Sequence, residues 1–271
     1  MKKIITGAVL FILLIIVIIA ASYALGSKSL VKDNVIDNSL NNKNNETVGP
    51  EEVKSENITY YDGKKYAIAS FKVADMSSLK LLGNFDQRRT AEKIVDDSKC
   101  DYAISGGFYT RDYKPIGLYI EDNKIISNFE VNNLLNGTLW IDNNQKAGIG
   151  NGVDRVNLKY AIQSGPQIME NGQPTALNII NDNYKRRNAV GINAKGELIF
   201  MSVYNPESIF EGPRLSDMPD IVYIFSRNNN NDIKTALNLD GGSASYFKNQ
   251  NITLSELSSA GSIICISRLN Q

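Results

Sequence analysis

The chain has 271 residues, with Lys plus Arg and Asp plus Glu balanced at 29 each, and it contains no histidine. A neutral balance lacks the basic stripe that marks nucleic-acid binding, so no nucleic acid is expected as a partner. The missing histidine excludes a Ser-His-Asp triad, a Cys-His dyad and His-based zinc or haem sites, leaving Asp, Glu, Lys, Tyr or Cys for acid–base chemistry.

Met1, Lys2 and Lys3 precede an uncharged run from Ile4 to Gly26. The nearly all-apolar stretch Ile4 to Ala21 approaches the ~20 residues that span a bilayer and exceeds the ~7–15 of a cleaved signal core. Ser22 and Ala24 nevertheless offer small residues to a signal peptidase. Residues 1–26 therefore read as a signal anchor or signal peptide. The N-terminal lysines place that end inside and the domain on the extracytoplasmic side, held by a single pass of the cell membrane or secreted. Residues 27–57 are rich in Asn, Lys, Asp and Ser without an apolar period, and read as a disordered polar linker.

Residues 58–271 read as one globular domain. Thr59 to Tyr61 and Lys65 to Val73 alternate as strands joined at Asp62-Gly63, a hairpin turn. Leu79 to Leu82 follows as a strand. Thr90 to Lys99 carries Ala91, Ile94 and Val95 on one helical face with Thr90 as N-cap. Short strands are expected at Tyr102 to Ser105, Gly117 to Ile120, Lys124 to Ile126, Thr138 to Ile141 and Gln145 to Ile149. Asp122-Asn123 and Asn143-Asn144 serve as two-residue turns. Ala189 to Ile192 and Leu198 to Val203 bracket a hairpin at Asn193 to Gly196. Ser216 is a candidate N-cap and Pro219 suits a first helical turn, so Ile221 to Ser226 continues a helix or forms a strand. Thr235 to Leu239 and Ser262 to Arg268 close the list. Many short strands with a few helices, and no strict βαβ alternation, indicate an α+β domain with a mixed or antiparallel sheet. Cys100 and Cys265 read first as buried thiols, with a disulfide open in an oxidising compartment.

Three Gly motifs follow predicted strands: Ser105-Gly106-Gly107-Phe108-Tyr109, Gln163-Ser164-Gly165-Pro166, and Asn238-Leu239-Asp240-Gly241-Gly242-Ser243-Ala244-Ser245. Glycine at a strand exit allows positive φ and close approach of a ligand. Successive N–H groups in such turns can cradle an anion. A fourth element, Arg186-Arg187-Asn188-Ala189-Val190-Gly191, puts guanidinium groups at a strand mouth, where they suit phosphate. The spacing is neither that of a Walker loop nor that of a dinucleotide fingerprint. One Asp rather than a cluster of oxygen ligands gives no metal site, and no cofactor is expected.

In order and content the four elements resemble the phosphodiester glycosidase family, with its Gly-Gly-Phe, Ser-Gly-Pro, Arg-x-Ala-x-Gly and terminal Asp-Gly-Gly-x-x-Ser segments. Here these are Gly106 to Phe108, Ser164 to Pro166, Arg187 to Gly191 and Asp240 to Ser245. Ser105 stands where the family usually has Asn, and Ser243 or Ala244 where a third Gly is common. The resemblance implies a hydrolase that cleaves a sugar-1-phosphodiester of a cell-envelope glycan or glycolipid. Water or a carboxylate would attack the anomeric carbon. A phosphate leaving group, with a second pKa of about 6, needs electrostatic support more than a strong general acid. The roles implied are Asp240 as base or nucleophile and Arg187 on the phosphate. Backbone N–H groups of Gly106, Gly107, Gly241 and Gly242 would line the anion pocket, Ser243 and Ser245 would donate to phosphate or sugar, Gln163 and Ser164 would meet sugar hydroxyls, and Phe108 and Gly165 complete the substrate-binding set. Asp112 and Glu121 are available as a second acid. The competing readings are a non-catalytic module for anionic envelope polysaccharide, a metal-dependent phosphodiesterase and a structural spacer.

Overall fold

In the computed structural model, residues 57–151 and 156–267 are described. The expected membrane or signal segment and nearly all of the linker lie outside the described residues. Among the described residues no helix is long and apolar enough to cross a membrane.

Three sheets form the domain. The largest has the order β1 (Asn57–Tyr61), β2 (Lys64–Val73), β13 (Leu198–Tyr204), β12 (Arg187–Asn193), β14 (Ile233–Asn238), β10 (Gln167–Glu170) and β11 (Gln173–Pro174). A second runs β16 (Thr253–Leu254), β15 (Phe247–Lys248), β4 (Tyr102–Ser105), β17 (Ser262–Ile266) and β3 (Leu79–Gly83). The third runs β6 (Lys124–Ser127), β5 (Tyr119–Glu121), β9 (Leu158–Ser164), β7 (Gly137–Asp142) and β8 (Ala147–Gly150). The described pairings are antiparallel, so the α+β expectation holds in its antiparallel form.

The turns follow from local chemistry. Asp62 and Gly63 both have positive φ, as do Asp122 and Asn123, which joins β5 to β6. Two consecutive left-handed residues match the twist of the strands they connect. Asn143-Asn144 instead belongs to a longer turn, because the Asp142 carboxylate accepts the N–H groups of both Asn144 and Lys146.

Strand alternation fills two layers at once. On β2, Ala67, Ala69, Phe71 and Val73 face a central core, while Tyr66 and Ile68 face the opposite side. The central core draws on all three sheets, including Phe200, Leu237, Ile104, Ile264, Leu139 and Ile162. Phe71 lies at its middle, with ring centroids 5.3 Å from Tyr102, 5.1 Å from Phe200 and 5.4 Å from Phe247.

Helices cover the outer faces. Helix α1 (Ala91–Asp97) is capped by the Thr90 hydroxyl and buries Ala91, Ile94 and Val95 against β4 and β17. Helix α2 (Met218–Asn228) buries Met218, Ile221, Val222 and Phe225, an i, i+3, i+4, i+7 stripe, on the seven-stranded sheet. Ile221 to Ser226 is thus helical. Ser216 is not its cap but sits in the 3-10 turn Leu215–Asp217 that leads into it. Cys100 leaves α1 just where β17 pairs beside β4, and the two cysteines form a disulfide with Cα atoms 5.4 Å apart. The first reading as two buried thiols is thus corrected to a disulfide, which forms because α1 packs against β17.

Phe71→Ala would open a void shared by two sheets and remove three ring contacts. We expect a loss of about 3–5 kcal/mol, read by chemical denaturation, with an unchanged urea slope.

Candidate functional site

Antiparallel register gathers the motif turns. Ala189 pairs with Asn238, so the start of β12 lies beside the end of β14. The pairing continues past the strands as Leu239 N–H donates to Asn188 O at 2.9 Å and Gly242 N–H to Arg186 O at 2.8 Å. From β4, Gly106 O accepts Asp240 N–H at 2.9 Å, and Gly106 N–H donates to Ser262 O on β17 at 2.9 Å. From β9, the Ser164 hydroxyl and Gly165 N–H both donate to Asn238 O, at 2.7 and 3.1 Å. The Asn238 amide returns a bond to Gly165 O at 2.9 Å. Gly165 must be glycine: its φ is +154°, and a Cβ there would collide with the Leu134 carbonyl.

The two arginines divide by strand parity. Arg186 and Asn188 share the side that faces the terminal motif, and Arg187 takes the other. Arg186 is fully buried. Its Nε donates to Ser245 Oγ at 2.9 Å, Nη1 to Ile209 O at 3.0 Å, and Nη2 to the carbonyls of Ser245 and Ser255. Ser245 Oγ in turn donates to Asn188 Oδ1 at 3.0 Å, and Asn188 Nδ2 reaches Asp240 O at 3.1 Å. Arg187 is bound elsewhere: Nη2 contacts Asp182 at 3.1 Å and Asn183 O at 2.7 Å, and Nε contacts Pro213 O at 3.3 Å. Asp182 also accepts the N–H groups of Leu215 and Ser216. Arg187 thus fastens the turn before α2 rather than standing free for a phosphate.

Other sequence candidates are engaged by the backbone. The Gln163 amide makes four hydrogen bonds to the backbone of Leu118, Glu130 and Leu135, fixing the loop after β6. The Ser105 hydroxyl accepts Tyr246 N–H and donates to Ala244 O, tying β4 to the terminal motif. Ser245 is fully buried with Arg186, and Phe108 is half-buried with its carbonyl closing a small loop onto Ile116 N–H. Glu121 accepts Gly83 N–H at 3.0 Å, and burial raises its carboxyl despite that bond. Asp112 is exposed.

Of the motif N–H groups, those of Gly106 and Gly242 donate to carbonyls, and that of Gly107 meets only the Ser262 hydroxyl, at 3.3 Å. The Gly241 N–H is bonded to Asp240 itself. Asp240 is 8% exposed, and among the described residues no cation stands within ion-pair distance of it. Burial drives its carboxyl up to about 7, with the Gly241 N–H pulling weakly the other way. The groups that reach solvent around this turn are the Ser243 hydroxyl, 3.1 Å from Ser258 Oγ, and the Lys185 chain. The Lys185 Cδ lies 3.2 Å from where a Gly242 Cβ would stand. A buried carboxylate that is half ionised near neutral pH can take up or release a proton there. Ser262 and Lys185 lie outside the four motifs, and within the fourth only Arg187 was assigned a role. Parity separates Arg186 and Asn188 from Arg187, since Val190 and Ile192 mark the inward side of β12. Among the described residues no cluster of ligands could hold a metal ion.

Two outcomes follow from this geometry. Arg186→Ala leaves the buried Ser245 carbonyl and hydroxyl and the carbonyls of Ile209 and Ser255 without their donor, and should cost roughly 2–4 kcal/mol in thermal or chemical unfolding. Asp240 carries its burial cost in full above pH 7, where the folded carboxylate is charged, and sheds it as pH falls toward the ordinary value of 3.8. Asp240→Asn should therefore stabilise the protein by roughly 2–4 kcal/mol at pH 8 and by almost nothing at pH 4, read as paired urea titrations.

Solved structures share this fold. The zebrafish N-acetylglucosamine-1-phosphodiester alpha-N-acetylglucosaminidase catalytic domain, auto-inhibited by its pro-peptide, superposes with a TM-score of 0.61. The identity is 16%, over 79% of this chain and 82% of that one. A hypothetical protein from Synechocystis gives a TM-score of 0.57 at 13% identity, over 78% of this chain and 61% of its own. The uncharacterized protein YigE of Escherichia coli K12 is 33% identical over 129 residues. That match covers 40% of this chain and 46% of YigE, less than half of the relative's length. Residues 98–261, more than half of the chain and inclusive of all four motifs, match the phosphodiester glycosidase family, and the chain belongs to that family.

Proposed function

We propose that the protein hydrolyses a sugar-1-phosphodiester, with Asp240 at the reacting centre. The observation that carries this reading is the convergence of the exits of β4, β9 and β14 and the start of β12 on one buried carboxylate without a cationic partner. A water oxygen bonds to the anomeric carbon, the carbon–phosphate-oxygen bond breaks, and a phosphate monoester departs with the bonding pair. Asp240 takes the proton from the water, or attacks the carbon itself before water releases the sugar. Either role requires the ionised form. The departing oxygens are supported by donors at the rim, chiefly the Gly107 N–H and the Ser243 hydroxyl. Arg187 acts behind this centre, holding the turn before α2.

The substrate fits a cell-envelope glycan or glycolipid, on the extracytoplasmic side and anchored through the apolar N-terminal run. Two observations support that placement: the apolar stretch Ile4 to Ala21 behind three residues that include two lysines, and the Cys100–Cys265 disulfide, which suits an oxidising compartment. Ser105 gives no argument for decay to a binding module, because its hydroxyl serves the backbone of the terminal motif.

The test is release of free sugar from UDP-N-acetylglucosamine and from a chromogenic sugar-1-phosphodiester. Wild type should turn over at least one, and Asp240→Asn, still folded, should lose about a thousandfold or more. The wild-type kcat/KM should rise with pH through an inflection near 7, where Asp240 ionises. A folded Asp240→Asn variant with near-native turnover would remove Asp240 from the mechanism.

A further inference from the structure

Arg187 is bound to Asp182 and Arg186 is enclosed by carbonyls, so neither guanidinium of the β12 mouth faces a ligand. A third arginine stands near the terminal motif: the Ser259 hydroxyl bonds Arg88 O, and the preceding Ser258 meets Ser243 through its N–H and its hydroxyl, at 2.9 and 3.1 Å. Arg88 is exposed, and its guanidinium lies 4.3 Å from the centroid of the Tyr113 ring. Tyr113 packs on Tyr109, with centroids 5.0 Å apart and planes 33° from parallel. Tyr109 packs on Gly261, where a Cβ would come within 2.5 Å of its ring, and the next residue, Ser262, holds Gly106, whose carbonyl accepts Asp240 N–H.

The group is built rather than incidental. The Tyr109 hydroxyl donates to Ser259 O at 2.7 Å, and the Ser259 hydroxyl donates to Arg88 O at 3.0 Å. Arg88, Ser259, Tyr109 and Tyr113 thus close a ring of contacts. Arg88 itself adopts φ +50°, uncommon for a residue with a side chain, and the turn is held by Asn84. The Asn84 side chain accepts Arg89 N–H at 2.9 Å and donates to Arg89 O and Ala260 O. Among the described residues no carboxylate lies within ion-pair distance of Arg88. Stacking on an aromatic face uses the plane of a guanidinium and leaves its N–H edge free, the edge that grips phosphate oxygens in pairs.

We propose that Arg88, held over the Tyr113 ring, is the phosphate clamp of this site. Tyr113 is a positioning residue for it, and Lys185 adds a second positive charge from the Gly242 side. The inference deepens the phosphodiester glycosidase reading above and rests on it for the identity of the ligand. It does not rest on turnover, because a clamp binds phosphate whether or not a glycosidic bond is cut.

The experiment is calorimetric titration of the full-length protein in its Asp240→Asn form with UDP-N-acetylglucosamine and, separately, with inorganic phosphate. Adding Arg88→Ala should weaken binding of the nucleotide sugar about ten- to hundredfold, as expected for loss of charged hydrogen bonds. Arg88→Lys, which keeps the charge but loses the fork, should recover only part of that. Tyr113→Leu should weaken binding less, and should add nothing once Arg88 is gone, a coupling that a purely structural role would not produce. In the active protein, Arg88→Ala should raise KM more than it lowers kcat. Binding that depends on Arg88 without turnover by the wild type would keep the clamp and sink the glycosidase reading. Equal affinity in a folded Arg88→Ala variant, or no binding of either anion by the parent at millimolar concentration, would overturn the clamp.

Discussion

A fully buried guanidinium with no carboxylate in contact is the constraint on which the site depends. Removing such a charge from water is costly unless its donors are satisfied. Here the solvation shell is the backbone itself: the carbonyls of Ile209, Ser245 and Ser255 and the Ser245 hydroxyl surround Arg186. Burial lowers its affinity for the proton to about 10, with Glu256 opposing, so it stays charged. Those carbonyls belong to segments with no regular partner of their own. Arg186 therefore does for the terminal loop what a ladder does for a strand, and the position of Asp240 follows from it through Ser245 and Asn188.

The sequence made the fold legible where local chemistry decides. Asp62-Gly63 and Asp122-Asn123 were readable as hairpins because only a few residues tolerate two left-handed positions in succession. The Thr90 cap and the Ala91, Ile94, Val95 face likewise announce α1. What stayed hidden was tertiary. Nothing local places β17 between β3 and β4, or sets Cys265 under α1. The run Ile221 to Ser226 is apolar enough for either element, and only the sheet face beneath it selects the helix.

The site shows the same division. Asp240 and its glycines stood out through the order of the four segments that resemble the phosphodiester glycosidase family, since alone each Gly-Gly segment reads as a turn. The partner arginine could not, since Arg186 and Arg187 are neighbours and only strand parity tells them apart. Gln163 looked like a sugar ligand because it is polar beside a motif, yet its amide is saturated by backbone. Polar residues near a site split into those that bind and those that shape, and hydrogen-bond saturation separates them.

The strand that comes last in the domain lies inside its sheet. β17 pairs with β4 on one side and with β3 on the other. Its register with β3 joins Ser262 to Gly83 and Ile266 to Leu79, across nearly the whole domain. Until residue 266 has left the ribosome or the translocation channel, β3 and β4 have no common neighbour, the disulfide has no second thiol, and the Ser262 carbonyl is not there to receive Gly106. Contacts of such long range also make for slow folding. Assembly of this candidate site is consequently a late event in the life of the chain, set by the arrival of β17 and not by the earlier motifs that surround Asp240.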